Sequence, residues 1–373
     1  MEDKFMLKTV FNMEAVVAQA SRTKTAYPDF DQEGFIGAVD AHLEPLQFLD
    51  RAQLIARELW SRLPQPYDRA IGIILESLPE ENTSQELEGY EGFIIMPLSM
   101  LVAEHGLGEG DFDLSMEALV AMTKRFTSEG AIRPFLDHHE EKTLAYMHRW
   151  ARDENVHVRR LVSEGSRPRL PLSSPLRKFK ADPGPVLDLL DLLKNEPTRL
   201  VQRSIANNLN DISKDNPDHV VTFLEDWKAQ GVMDYEWIAN HALRTLKKQG
   251  HEGAMKLLGF DPQVRVVVHD LHVEPQVVER GQEVHFVFIL ENQGDQDLKA
   301  MVDYQIHYMK ANGKQRPKVF KIAVKALPAG GVVKVTGKRS FKDFSTRKHY
   351  PGRHGIDVLV NGKVKASVSF EVK

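Results

Sequence analysis

Asp153-Glu-Asn-Val-His-Val-Arg-Arg160 and Glu196-Pro-Thr-Arg-Leu-Val-Gln-Arg203 read as two copies of one unit, and Asp234-Tyr-Glu-Trp-Ile-Ala-Asn-His241 follows them more weakly. The anchors Arg160, Arg203 and His241 lie 43 and 38 positions apart, near the period of the paired-helix repeats of HEAT and armadillo solenoids. In such a solenoid the second helix of each pair lines the concave surface. The flanking sequence agrees. From about Asp29 to Phe260 apolar residues recur at helical spacing, in segments broken by Pro, Gly, Asp and Asn. Leu49–Leu63, Tyr67–Leu78, Met116–Phe126, Glu140–Arg152, Pro185–Leu193 and Pro217–Trp227 are examples. No strand-like alternation intervenes, so the region is predicted to be all-α. Arg167–Pro183, rich in Pro, Ser and Lys, reads as an extended loop between repeats.

Around residue 264 the period changes from 3.6 to 2. Val264–Val268, Val284–Leu290, Val319–Val324, Val332–Val335, Ile356–Val360 and Val368–Val372 alternate or run β-branched. Asn312-Gly313 and Asn361-Gly362 are dipeptides favoured by tight type I′ hairpins. About seven short strands in this span suggest an immunoglobulin-like sandwich, without the Cys-Trp-Cys core of antibody domains. The expected organisation is multidomain, with a helical-repeat domain over 1–263 and an all-β domain over 264–373.

Charge divides at the same point. Residues 1–263 hold 30 Lys+Arg against 42 Asp+Glu, a net of −12, and residues 264–373 hold 19 against 11, a net of +8. The chain's net of −4 conceals this. A basic module on an acidic body suggests a polyanionic partner, most simply a nucleic-acid backbone, although many sandwiches are merely Lys-rich on the surface. Zero cysteines exclude disulfides, thiolate catalysis and Cys-ligated metal. The 15 histidines show no HExxH spacing, and His138-His139 is a weak metal signal, so no metal and no cofactor are expected. No run of 18 apolar residues predicts a membrane span. Met1-Glu2-Asp3-Lys4 does not open a secretory signal, so the expected location is the cytoplasm.

Arg160 and Glu164 are spaced i,i+4 and share a helix face, as do Asn207 and Asp211 in the second copy, with Asn208 beside them. If the two helices stand side by side they form a polar stripe of carboxylate, guanidinium and amides. A routine surface ion pair explains Arg160–Glu164 equally well. In Phe126-Thr-Ser-Glu129-Gly-Ala-Ile-Arg133-Pro-Phe135, Thr127 or Ser128 is placed to cap a helix whose first turn contains Glu129.

This run, together with Trp150-Ala-Arg-Asp-Glu-Asn-Val-His-Val-Arg-Arg160-Leu-Val-Ser-Glu164-Gly, Ser166-Arg-Pro-Arg-Leu-Pro171 and Asn207-Asn208-Leu-Asn-Asp211-Ile-Ser-Lys-Asp-Asn-Pro217, resembles the AlkC branch of the AlkC/AlkD DNA alkylation repair glycosylases. The resemblance spans essentially the whole helical region. It implies a HEAT-like solenoid, excision of 3-methyladenine and 3-methylcytosine from alkylated double-stranded DNA, and action without conventional base flipping. Some members carry a C-terminal immunoglobulin-like domain. By position it implies that Glu129, Glu164 and Asp211 are catalytic. Arg160, Arg159, His157, Asn207 and Asn208 would position the DNA. The AlkD branch lines its cleft with tryptophans, where this chain has His157 and Asn207, so excision of bulky adducts is less expected.

A concave solenoid face offers no deep pocket, so a bent duplex would present the lesion. Lys338, Arg339, Lys342, Arg347, Lys348 and Arg353, with a single acid, Asp343, should form a basic loop between two strands that grips a phosphate backbone. The protein should act as a monomer in a bacterial cytosol, on the nucleoid. The rival reading is a non-enzymatic solenoid adaptor that binds DNA or protein without turnover.

Overall fold

The computed structural model describes residues 6–87, 91–343 and 348–373. Helices fill its first part. They run α1 (Met13–Ala26), α2 (Gln32–Leu43), α3 (Phe48–Trp60), α4 (Tyr67–Glu76), α5 (Ile95–His105), α6 (Phe112–Thr123), α7 (Ile132–His138) and α8 (Glu140–Trp150). There follow α9 (Val156–Gly165), α10 (Arg177–Ala181), α11 (Gly184–Leu192), α12 (Arg199–Ile212), α13 (Pro217–Ala229), α14 (Tyr235–Ala242), α15 (Arg244–Gln249) and α16 (Glu252–Leu257). The chain packs as two compact units: Met1–Asn216 with Asp226–Ala242, and Pro217–Glu225 with Leu243–Lys373.

The first unit is the helical solenoid. The three copies read from the sequence become α9, α12 and α14, with α12 packed between the other two. Val201, Ile205, Leu209 and Ile212 bury one stripe of α12, at the spacing that brings every third or fourth residue to one face. Asn155 caps α9, its side-chain oxygen accepting from His157 N at 2.9 Å and Val158 N at 3.3 Å. Such a cap is worth about 1 kcal/mol and fixes where the helix begins. Helicity starts earlier than Asp29, with α1 capped by Asn12. Its buried face includes Gln19 and Thr23, polar residues that hide the stripe. The stretch Arg167–Pro183 is not extended throughout. Leu176 N donates to Pro168 O at 3.2 Å and closes a loop before α10.

In the second unit two sheets face each other. One is three-stranded, in the order β1 (Val266–Glu274), β3 (Glu283–Asn292), β6 (Val332–Ser340). The other runs β2 (Val277–Val278), β8 (Lys363–Val372), β7 (Gly352–Val360), β4 (Leu298–Met309), β5 (Gln315–Leu327). All pairs are antiparallel except β2 with β8. Phe286, Phe288 and Leu290 of β3 meet Tyr304 and Ile306 of β4 and Ile356 and Val358 of β7 in the core. Strand β4, flanked by β7 and β5 in its sheet, carries none of the runs read from the sequence. A bulge between Val302 and Asp303 breaks its alternation, so Ala300, Met301 and Val302 are buried in succession.

The two hairpin dipeptides differ. At Asn361-Gly362 both residues take positive φ, as a type I′ turn requires. At Asn312-Gly313 only Gly313 does, and Gly313 N donates to Lys310 O at 2.9 Å. This is a three-residue turn with a left-handed glycine, not the expected type I′.

Candidate active site

One α9 face, one α12 face and two loops converge on an alternating chain of charge. Arg160 Nη2 lies 2.9 Å from Glu129 Oε2 and 3.9 Å from Glu164 Oε1. Arg167 continues the chain, its Nη1 donating to Glu164 Oε1 at 2.5 Å and its Nε to Asp211 Oδ2 at 2.8 Å. Lys214 Nζ donates to Asp211 Oδ1 at 2.8 Å. Ser204 of α12 donates to the other oxygen of Glu164. The helix faces had put Arg160, Glu164 and Asp211 together and the family resemblance added Glu129, and the four do meet here, but Arg167, which joins Glu164 to Asp211, was missed. Its only signal was membership of Ser166-Arg-Pro-Arg169.

The three carboxylates are not equivalent. The side chain of Glu129 is 26% exposed, that of Glu164 8% and that of Asp211 2%. Burial would push the Glu164 carboxyl up. Arg160, Arg167 and the Ser204 hydroxyl overcome that and hold it below the usual carboxylate value. Arg167 is likewise opposed by burial, yet Glu164 and Asp211 raise it, so it remains a guanidinium.

Glu129 does not sit in the first turn of a capped helix as expected. Helix α7 starts at Ile132 without a side-chain cap. Instead the Thr127 hydroxyl accepts from Glu129 N at 3.3 Å and donates to Glu129 Oε2 at 2.9 Å. Arg160 Nη1 also donates to that hydroxyl, at 3.3 Å. The turn therefore aims the Glu129 carboxylate at Arg160.

Glu129, Arg160, Glu164 and Arg167 line one wall of a cavity of about 600 Å³, with Phe48, Phe93, Met96 and Met100 opposite in chemistry. The expectation of a face without a pocket is corrected. Its cause is the loop after α9, whose Leu170, Pro171 and Leu172 complete the cavity. Asp211 does not line it.

The remaining residues read from the helices are bonded to groups outside the charge chain. Arg159 is held by Glu196 at 2.6 and 2.9 Å and by two backbone carbonyls. His157 is buried, its Nε2 2.9 Å from Ser84 O, and burial lowers its pKa. Asn208 is buried, donating to Ser163 O at 2.7 Å. Asn207 Oδ1 meets His241 Nε2 at 3.0 Å. Among the described residues no group of three or more His, Asp or Glu side chains is placed to hold a metal. No helix of the described residues is long and apolar enough to cross a membrane.

The basic cluster of the second unit is not one loop. Lys338 and Arg339 lie on β6 and Arg353 on β7, in different sheets. Lys338 pairs with Glu283 at 3.0 Å, and Arg339 stacks on Phe320 and donates to Tyr308 at 2.8 Å. Arg353 donates to Ser369 at 3.0 Å. Asp343 is tied to His349. Lys342 and Lys348 are exposed in the connecting segment, and Arg347 lies outside the described residues. The structure adds cations that the sequence reading passed over. Lys310, Arg316 and Lys318 join Lys348 around a groove of about 780 Å³, with no carboxylate among the described lining residues.

A solenoid with a carboxylate–guanidinium chain beside a cavity, in one polypeptide with a two-sheet sandwich, defines a HEAT-like repeat protein with an immunoglobulin-like domain. Comparison with known proteins specifies it. The family described as DNA alkylation repair enzyme matches residues 126–248, the segment that holds the whole charge chain. The model described as Uncharacterised protein YhaZ, C-terminal Ig-like domain, matches residues 267–373. YhaZ of Bacillus subtilis (strain 168) is 35% identical over 98% of this chain and 99% of its own length. A Pseudomonas fluorescens alkylpurine DNA glycosylase, AlkC, solved bound to DNA containing an abasic site analog, is 39% identical. It covers 99% of this chain and 100% of its own, with a TM-score of 0.88. The chain belongs to the DNA alkylation repair enzyme family, in its AlkC branch.

Proposed function

We propose that this protein is a DNA glycosylase that excises cationic N3-methylated bases, 3-methyladenine and 3-methylcytosine, from double-stranded DNA in base excision repair. The observation that carries the reading is the pair of carboxylates, Glu129 and Glu164, held on one cavity wall by Arg160. An N3-methylated base already carries positive charge, so its glycosidic bond is weak and no strong acid is needed. The bond breaks with its electron pair going to the base, and the sugar becomes oxocarbenium-like. Fixed carboxylates stabilise that charge, and one accepts the proton of the attacking water. Glu164, kept ionised by its two arginines, suits the charge-stabilising role. Asp211, sealed under Arg167, is a positioning residue.

The lesion is presented in a bent duplex rather than as a base swung between aromatic rings. The cavity's rings are packed on one another, Phe93 on Phe48 at 5.7 Å and on Phe126 at 4.8 Å, rather than standing apart to sandwich a base. Arg160 is then also placed to meet a backbone phosphate, and the groove around Lys310, Arg316 and Lys348 to grip the duplex electrostatically. The protein works as a monomer in the bacterial cytosol, without metal or cofactor.

The test is to incubate the purified chain with methylated duplex DNA in EDTA and identify released bases chromatographically. Release of 3-methyladenine and 3-methylcytosine is expected. DNA binding with no released base would leave an adaptor, and activity restored only by added magnesium would refute metal independence.

A further inference from the structure

Four non-glycine residues among those described adopt positive φ. Asp234, Asp270 and Asn361 are types whose short polar side chains ease the left-handed conformation by bonding locally. The fourth is Leu172, at φ 60°. A bulky apolar residue gains no such compensation, so the surrounding structure must impose the conformation. Leu172 is also 61% exposed, level with Val332 and above every other large apolar side chain among the described residues. Strain and exposure together are doubly unfavourable in the free protein.

The loop that presents it is braced on every side. Arg167 grips Glu164 and Asp211, and Arg169 grips Asp215 at 2.7 and 2.9 Å. Leu170 is buried, and the backbone closes through Leu176 N to Pro168 O. Buried Arg133 donates to three carbonyls, Gly165 O at 3.1 Å, Arg167 O at 2.7 Å and Ser174 O at 2.7 Å. Two residues from Leu170 the tip stands free, and it lines the same cavity as Glu129 and Glu164. Ser173 Oγ lies only 3.6 Å from where a side chain on Gly130 would begin, so the tip abuts the turn that carries Glu129.

We propose that Leu172 is a wedge that enters the base stack of duplex DNA beside the lesion, opening the step so that the sugar reaches Glu129 and Glu164. The idea rests on the glycosylase reading above and names the residue that distorts its substrate. A rigid support matters because a wedge on a soft loop would bend before the stack did. An apolar side chain suits the task, since it replaces base–base contact with apolar contact and loses no hydrogen bonds on entry. Leu172 is a positioning residue for the DNA and takes no part in bond breaking.

The test uses the full-length chain and two duplexes with the same 3-methyladenine, one fully paired and one with mismatched neighbours that loosen the stack. Leu172→Ala should slow single-turnover release from the paired duplex about tenfold or more and from the mismatched duplex far less, while Leu172→Phe retains activity. With 2-aminopurine beside a stable abasic analogue, fluorescence should rise on binding the wild type and not on binding Leu172→Ala. Equal losses on both duplexes, or no loss on either, would overturn the wedge. Leu172→Gly, which relieves the left-handed strain, should keep its melting temperature while losing release from the paired duplex. Were the wild type to release no base, the glycosylase reading would fall, and the fluorescence of the two proteins would still decide for or against the wedge.

Discussion

Buried carboxylates behave in opposite ways in the two units. In the solenoid, Glu164 and Glu196 are sunk among apolar helices, where burial would raise both, yet both are held below the usual range. Each meets a guanidinium at hydrogen-bonding distance: Arg167 at 2.5 Å from Glu164, Arg159 at 2.6 and 2.9 Å from Glu196. In the sandwich, Asp303 is also buried, surrounded by Lys247, Lys321 and Lys248, and its pKa is pushed up to about 6 by burial that the lysines only partly oppose. The number of nearby cations is not what separates these cases. A planar fork bonded directly to the carboxylate offsets the loss of water, whereas ammonium groups acting through space offset only part of it. The solenoid therefore holds these buried carboxylates in their ionised form, whereas burial moves the sandwich's Asp303 toward its neutral form.

The hardest test of that contrast is to remove the fork. Arg167→Met leaves Glu164 and Asp211 buried without their shared partner, and stability should fall by about 3–5 kcal/mol in denaturant titrations. A loss under about 1 kcal/mol would mean that water replaces Arg167 easily. Next in size, Glu164→Gln keeps the shape but removes the negative charge facing the cavity. Single-turnover excision should drop by about 10²–10³ with DNA affinity unchanged or higher, since repulsion from phosphate also falls. Glu129→Gln should follow in the same direction. Rates equal to wild type would remove these carboxylates from the chemistry.

The sequence made half of this contrast legible. Helical spacing placed Arg160 with Glu164 and Asn207 with Asp211, and the repeat period set α9 beside α12, because both rules act inside helices whose geometry is fixed. Arg167 escaped because it lies just past the end of α9, where no periodic rule says which way a side chain turns. Glu129 was found, but its setting was not: a Thr127 turn can precede a helix as well as cap one. In the sandwich the strand runs were visible, but their lengths were not. Lys338 and Arg339 looked like loop residues until β6 extended to Ser340 and β7 began at Gly352, dividing the cluster between sheets. The groove cations Lys310, Arg316 and Lys318 were invisible for a related reason. Lys310 follows β4, the strand whose bulge breaks the pattern, and the other two sit on its hairpin partner β5.

If the outer charge of the sandwich serves DNA binding, it must act through screening-sensitive attraction. Replacing Lys310, Arg316 and Lys348 by Glu should weaken duplex binding about 10²-fold near physiological salt. It should also flatten the dependence of log affinity on log salt, by roughly one unit for each phosphate that the variant no longer neutralises. Glu164→Gln should leave that slope unaltered. The contrast breaks if the triple variant keeps the wild-type slope, because the groove then faces no backbone.

The smallest effect is also the most direct reading of the contrast, since it asks what Asp303 costs. Its folded pKa of about 6 lies above the ordinary carboxylate value of 3.8, so between those two values the folded chain binds a proton that the unfolded chain does not. The stability this supplies is fully present below about pH 4 and is lost as pH rises through 6. Above about pH 7 the buried carboxylate is ionised and its desolvation weighs against folding. Asp303→Asn, which keeps the shape without the charge, should stabilise the sandwich at about pH 8 by on the order of 1–2 kcal/mol and change little at about pH 3.5. Denaturant titrations followed by a sandwich-specific probe at the two pH values would measure it. A variant less stable than wild type at the higher pH would show that Lys247 and Lys321 pair with Asp303 as firmly as Arg167 pairs with Glu164, and the distinction between fork and ammonium would fail at this site.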